Sequence, residues 1–302
     1  MGTPDFAVPG LKAIASDSRF EIVAVLTQKD KPVGRSQELK PTPVKAAALE
    51  LGLKVLQPNR VKNIAEKLKK LSPDFIVVIA YGQILNEEVL NIPKIACINV
   101  HASLLPKYRG ASCLQAPILN GDQETGVTIM LMSKGLDTGD ILRQEKIELN
   151  GTEILETLHD KLSEFGASVL GDTLVNFANG KIIPQKQDES LASYVKVIDK
   201  KDGLINWQND AALIERKVRA FNPWPGVFTY LDGKMIKIIK AEISTSENTM
   251  EIGQIFEENK QLYVKCGQNS LRILELQLEG KKATDSSSFL AGHSGVLGKK
   301  LE

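Results

Sequence analysis

From Glu21 to about Gly180, short apolar runs alternate with segments of helical period. Ile22–Leu26 reads as a strand, Val44–Leu51 as a helix and Lys54–Leu56 as a short strand. Ile64–Leu71 then reads as a helix, Phe75–Ala80 as a buried strand and Ala96–Val100 as another. Thr128–Met132 follows as a strand, and Glu153–Phe177 as a long amphipathic helix stopped near Gly180. Strands that are apolar throughout have both faces covered, so the pattern predicts an α/β, Rossmann-like domain with a parallel-rich sheet. Such a sheet usually begins with a strand. This sequence opens instead on Gly2-Thr3-Pro4-Asp5-Phe6, a strand-to-helix turn, so the first strand is missing from the pattern. The glycines do not form GxGxxG, which gives a dinucleotide site little support.

Beyond Gly180 the pattern changes. Residues 181–206 are polar with little periodicity and read as a linker. Ala211–Ala220 makes one helix, ended by Asn222-Pro223-Trp224-Pro225-Gly226. Five short strands follow at Val227–Leu231, Met235–Ile243, Ile252–Phe256, Leu262–Lys265 and Leu271–Leu278, with turns at Asp232-Gly233 and Glu258-Asn259. They predict a small antiparallel, OB-like barrel. The expected organisation is a first domain over 1–180, the linker, and a second domain over 207–302, in keeping with a length of 302 residues.

Composition removes several classes. Apolar residues at 42% and charged residues at 25% are ordinary for a globular chain. A net charge of +1 supplies no global field toward nucleic acid or membrane, so any RNA contact must come from a local cluster of Lys and Arg. Cys97, Cys113 and Cys266 are widely spaced and form no CxxC pair, which argues against a zinc site and a disulfide framework. Phe75–Tyr81 is too short an apolar run to span a bilayer, and the opening residues lack a secretory pattern. A cytoplasmic monomer with no membrane contact is the expectation.

The candidate chemistry sits at a strand end. In open α/β sheets, ligands bind beyond the carboxyl ends of the strands. In Ile95-Ala96-Cys97-Ile98-Asn99-Val100-His101 a period of two puts Asn99 and His101 on one face. Gly135-Leu136-Asp137-Thr138-Gly139-Asp140 offers a carboxylate from a loop after the next strand. An amide, an imidazole and a carboxylate suit acyl transfer to an amine, which needs no nucleophilic Ser or Cys. Asn99 can donate to the oxygen on which charge develops, an effect of about 10²–10³ in rate. His101 can donate there or shuttle a proton, worth roughly 10²–10⁴. Asp137 can fix the imidazole tautomer and favour its protonated form. The residues alone leave a structural reading open, since Asp137 and Asp140 between glycines also suit turn caps.

The stretch Asn99-Val100-His101-Ala102-Ser103-Leu104-Leu105-Pro106-Lys107-Tyr108-Arg109-Gly110 resembles the signature of the folate-dependent formyltransferases, and the Gly135–Asp140 loop follows at the right distance. Within that family the chain resembles, from end to end, the branch that acts on methionyl-tRNA. Gly2–Phe6 matches its opening turn, Thr27–Arg35 through Pro41–Lys45 its inserted loop, and Phe221–Gly226 the start of its C-terminal domain. The resemblance implies that Asn99, His101 and Asp137 are the catalytic trio. It implies that Ser103, Leu104, Leu105 and Pro106 line a folate site through backbone groups and apolar contact. The donor would be 10-formyltetrahydrofolate, with no metal, and the acceptor the α-amine of methionine on initiator tRNA. Arg35, with Lys40, would serve the inserted loop at the acceptor stem. Lys196, Lys200 and Lys201, with Lys234, Lys237 and Lys240, would track phosphates.

Three positions depart from the family. Met1 stands where the family's first strand ends, the loop reads Arg35-Ser36-Gln37-Glu38 and is less basic, and Cys113 replaces a common proline. Two rival readings remain at this stage. One is formylation of a small amine, or hydrolysis of the formyl-folate; the other is an inactive folate- or RNA-binding module.

Overall fold

The computed structural model describes residues 1–33, 38–245 and 249–302. Contacts divide it into two units. One comprises Met1–Cys113, Glu124–Glu148 and His159–Val195; the other comprises Leu114–Gln123, Leu149–Leu158 and Lys196–Glu302.

In chain order the first unit carries β1 (Val25–Leu26), β2 (Lys31–Val33), β3 (Glu38–Lys40), β4 (Val55–Leu56), β5 (Phe75–Val78), β6 (Ala96–His101), β7 (Arg109–Gly110), β8 (Glu124–Leu131), β9 (Ile141–Glu148) and β10 (Tyr194–Val195). The main sheet runs β5-β6-β8-β9. β5 and β6 are parallel, while β6, β8 and β9 are successively antiparallel. The apolar pattern did not show this change of direction. Nor did it show β9, where exposed and half-buried positions alternate and only Leu142 is buried.

β1 pairs in parallel with β4 as a separate ladder. Met1 and Gly2 join the two ladders. The Gly2 N–H donates to the Leu26 carbonyl at 2.9 Å, and the Ile79 N–H donates to the Met1 carbonyl at 2.9 Å. A two-residue bridge thus holds the place where a doubly wound sheet has its first strand. Ile22, Ala24, Phe75, Val77 and Leu174 line a cavity of about 460 Å³ beside it. Accordingly only Val25–Leu26 of the expected Ile22–Leu26 strand is paired.

Helices cover both faces of the sheet. Thr42 caps Pro43–Glu50 by accepting the Lys45 N–H, with Pro43 at the first helical position, where its missing N–H costs nothing. The helix Leu155–Ala178 buries Leu162, Leu170 and Leu174 on one stripe, each contributing roughly 2 kcal/mol. On that stripe Gly166 lies against Val100 and Val127, so the helix packs on the Val100 face of β6. Asn99 and His101 therefore belong to the opposite face. That face holds a core of Leu26, Val61, Leu68, Ile76, Tyr81 and Cys97.

The second unit carries β11 (Val227–Leu231), β12 (Lys234–Ser244), β13 (Ile255–Glu258), β14 (Gln261–Lys265), β15 (Ser270–Leu278) and β16 (Thr284–Asp285). All pairings are antiparallel, in the order β11-β12-β15-β14-β13, with β16 on β15. The five strands predicted from the sequence are all present. The helix Ala211–Phe221, capped by Asp210, buries Ile214, Val218 and Phe221. Trp207 donates its indole N–H to Thr229 Oγ1 at 3.0 Å, a buried polar pair that places the segment before the helix on the sheet. No helix among the described residues is long and apolar enough to cross a membrane.

Candidate active site

β6 lies between β5 and β8, and its last residue is His101. The His101 ring is buried, 6% exposed, and its Nε2 lies 3.0 Å from the Tyr108 carbonyl. A carbonyl only accepts, so Nε2 carries the proton. The other ring nitrogen, Nδ1, lies 3.7 Å from Asp137 Oδ2. At that distance Asp137 favours the imidazolium through its charge rather than through a hydrogen bond, and the Cys113 side chain is the ring's further hydrogen-bond partner. Burial works against that charge, but Cys113, Asp137 and the Tyr108 carbonyl outweigh it and raise the ring from 6.5 to about 9. Asn99, two residues earlier and roughly 6.6 Å back along the strand, is half-buried. Its amide has no hydrogen-bond partner among the described residues.

Asp137 reaches the ring from an unexpected direction. Because β8 runs antiparallel to β6, its end at Leu131 stands opposite Ile98 rather than His101. The loop between β8 and β9 then brings Asp137 back to the ring, where its Oδ2 accepts the Gly110 N–H at 2.8 Å. Asp137 and Tyr108 both take left-handed backbone, with φ of 53° and 62°. Such conformations cost about 1–3 kcal/mol each and persist where surrounding contacts over-determine them.

The 103–106 loop is held from beneath. Fully buried Thr128 donates to the Ser103 carbonyl at 2.6 Å and accepts the Leu105 N–H at 3.1 Å. Gln144 donates to the Leu105 carbonyl at 2.7 Å and to Thr128 Oγ1 at 3.0 Å. Ser103, itself buried, donates to the Lys107 carbonyl. The Ser103 side chain and the Leu105 backbone therefore shape the loop, with the Leu105 side chain buried, while Leu104 and Pro106 are half-buried and reachable.

Thr128 and Gln144 are supports of the site beyond the residues expected from the sequence. Thr128 is a hydroxyl inside an apolar strand, and that was the available signal. Gln144 gave none, because its strand was not recognised. A further support is the segment 187–195, read as linker, whose Tyr194–Val195 pairs in parallel with Arg109–Gly110.

The expected RNA contacts scatter. Lys40 is exposed on β3, which pairs with β2 in a hairpin, and Arg35 lies outside the described residues. Lys196, Lys200, Lys201, Lys234 and Lys240 are exposed in the second unit, and Lys237 is half-buried. Lys196 and Lys201 face Asp202 and Asp199 at 3.7 and 3.2 Å. These exposed ion pairs hold the lysines only weakly.

Comparison with known proteins decides the family. Residues 1–174 match the formyl transferase family model, and residues 197–294 match that of the formyl transferase C-terminal domain. The chain belongs to the formyl transferase family. Its relatives include a methionyl-tRNA formyltransferase of Caldanaerobacter subterraneus subsp. tengcongensis, 48% identical over 297 residues, which span 97% of this chain and 96% of the relative. Another, from Lachnospira eligens, is 48% identical over 309 residues, spanning 100% and 98%. Among solved structures, an N-formyltransferase from Helicobacter canadensis shares the fold, with a TM-score of 0.67 at 22% identity over 90% of this chain and 96% of that one. As a family member, the chain is an enzyme.

Proposed function

We propose that this enzyme transfers a formyl group from 10-formyltetrahydrofolate to the α-amine of initiator methionyl-tRNA, supporting translation initiation. The observation that carries the chemistry is the His101 ring held between the Tyr108 carbonyl and Asp137, on the strand that bears the unpartnered amide of Asn99. The acceptor follows the near full-length relatives, which are methionyl-tRNA formyltransferases.

The residues present fit the folate: Leu104 and Pro106 offer apolar surface on a loop anchored by Thr128 and Gln144, beside an amide free to bind a polar atom. When bound, it supplies the electrophilic formyl carbon. Asn99 donates to the oxygen that gains charge as the amine attacks. The His101 imidazolium donates there as well, or passes its proton to the departing nitrogen. Asp137 keeps the ring oriented and charged. The first 180 residues form the catalytic domain, joined through 181–206 to a tRNA-binding domain over 207–302. Lys196, Lys200 and Lys201 of the connecting segment meet phosphates, and Arg35 and Lys40 meet the acceptor stem. The enzyme works as a cytoplasmic monomer.

The test is formyl transfer to charged initiator tRNA, measured beside free methionine and an amino-sugar nucleotide. Transfer to a small amine but not to the tRNA would overturn the reading. A pH dependence follows from the ring. The raised value means the ring stays charged through neutral pH and loses its proton as pH rises through about 9. The value of kcat/KM should therefore fall across pH 8.5–10, read from single-turnover rates at subsaturating substrate, in quenched reactions short enough to outrun hydrolysis of the aminoacyl ester. A rate still climbing at pH 10 would show that the neutral ring is the active form.

A further inference from the structure

Gln187 and Arg109 lie beneath the Asp137 loop, outside the group of residues that face the reacting atoms. Gln187 Nε2 donates to the Asp137 carbonyl at 2.8 Å and to the Gly139 carbonyl at 2.7 Å. Its Oε1 accepts from Arg109 Nε at 3.1 Å and Nη2 at 2.8 Å. A guanidinium only donates and a backbone carbonyl only accepts, so the amide has one permitted orientation. All four of its hydrogen-bonding positions are then used. The fully buried Arg109 side chain is likewise satisfied, with Glu189 accepting at 2.9 and 2.7 Å and the Tyr194 hydroxyl at 2.8 Å. The charge on Arg109 in turn holds the Glu189 carboxyl below the usual carboxylate range. No N–H of Arg109 is left over for a substrate. This residue of the signature stretch works on the protein itself.

We infer that Gln187 is a positioning residue for the reaction proposed above: its amide, fixed by Arg109, clamps the Asp137 loop so that the carboxylate stands beside the His101 ring. The inference rests on the roles given there to His101 and Asp137. The loop needs such a clamp. It is exposed over Ser133–Leu136, and Asp137 itself sits in left-handed backbone. The Gly110 N–H fixes the carboxylate, but among the described residues only the Gln187 amide grips the two carbonyls that bracket Thr138. Among neutral side chains, an amide alone presents two donors on one edge and an acceptor on the other.

The experiment compares wild type with Gln187→Leu, Gln187→Glu and Gln187→Asn. Gln187→Glu keeps the size and still meets Arg109, but turns an oxygen toward two carbonyls. The expected result is a fall in kcat of roughly 10–10²-fold, with KM for both substrates within about threefold. The second readout is the His101 ring titration, followed by NMR of histidine-labelled protein. The chain has three histidines, so the resonance is assignable. In each variant the ring should titrate below wild type as Asp137 moves away, while Cys113 and the Tyr108 carbonyl still hold it above an ordinary imidazole.

A purely structural role for Gln187 would lower the melting temperature and leave the ring titration unmoved, and that result overturns the inference. An unchanged kcat overturns it too. Should Gln187→Leu not fold, Gln187→Glu and Gln187→Asn carry both readouts. A wild-type enzyme that transfers nothing to tRNA would remove the proposed function, while the ring titration would still decide the role of Gln187.

Discussion

His101→Ala is expected to lower kcat for formyl transfer by about 10³-fold, and by no less than 10²-fold, with folate affinity nearly unchanged. The size follows from what the ring supplies: one charged donor near the reacting oxygen and one transferable proton. Each effect is worth about 10²–10⁴ in rate, and one side chain contributes both, so the two losses do not multiply. Folate affinity should hold because the loop over 103–106 hangs on Thr128 and Gln144 rather than on His101. Stability should also fall at neutral pH, since a ring raised to about 9 is one whose charge the folded protein favours, and the alanine leaves Asp137 without it. Asp137→Ala should show a smaller loss of kcat together with an alkaline limb moved to lower pH. Equal kcat in His101→Ala and wild type at saturating substrates would remove His101 from the mechanism.

Gly110→Ala is expected to have the largest effect on the fold around the site. Gly110 has φ of 111°, and a Cβ there would stand 2.4 Å from the Val195 carbonyl oxygen. Contacts on both sides oppose relief: Gly110 pairs with the Val195 backbone and donates its N–H to the Asp137 carboxylate. The strained conformation and the contact together cost about 3 kcal/mol. At roughly 2–4 °C per kcal/mol, the melting temperature should drop by about 6–12 °C. Activity should fall with it, because the alanine pushes the 187–195 segment off β7 and takes the donor from Asp137. Gly280→Ala is the control. That glycine also has positive φ, at 72°, but a Cβ there meets nothing within 4 Å, so about 1 kcal/mol is expected. Indistinguishable melting curves for the two variants would show that the Val195 contact does not matter.

Much of this architecture was legible from local pattern. β5, β6 and the helix Leu155–Ala178 are long, apolar and periodic, and burial on the predicted faces is what such periodicity encodes. The strands of the second unit were legible for the same reason, with their turns marked by Asp232-Gly233 and Glu258-Asn259. Elements with weak local signals were not. The helix Gln115–Asn120 is six residues long, and the hairpin of β2 and β3 is short, with β3 exposed throughout. The strand β9 exposes one face, so its sequence looks polar.

The site divides along the same line. Period two places Asn99 and His101 on one face of one strand, because neighbours in sequence are neighbours in space there. The signature around Ser103–Gly110 and the Gly135–Asp140 loop could be named from sequence, since each is contiguous. How these pieces meet could not. An antiparallel turn in the sheet starts the Asp137 loop opposite Ile98, and only the tertiary fold carries it back to His101. The pairing of Arg109 with Gln187, 78 positions away, and of that amide with Asp137, 50 positions away, has no trace in local pattern. Sequence by itself determined the family, the two halves of the chain and which residues could do acyl transfer, because those depend on residue type and short-range period. The tertiary structure alone decided which acceptors flank the imidazole, and hence its charge, because that depends on atoms brought together from distant parts of the chain.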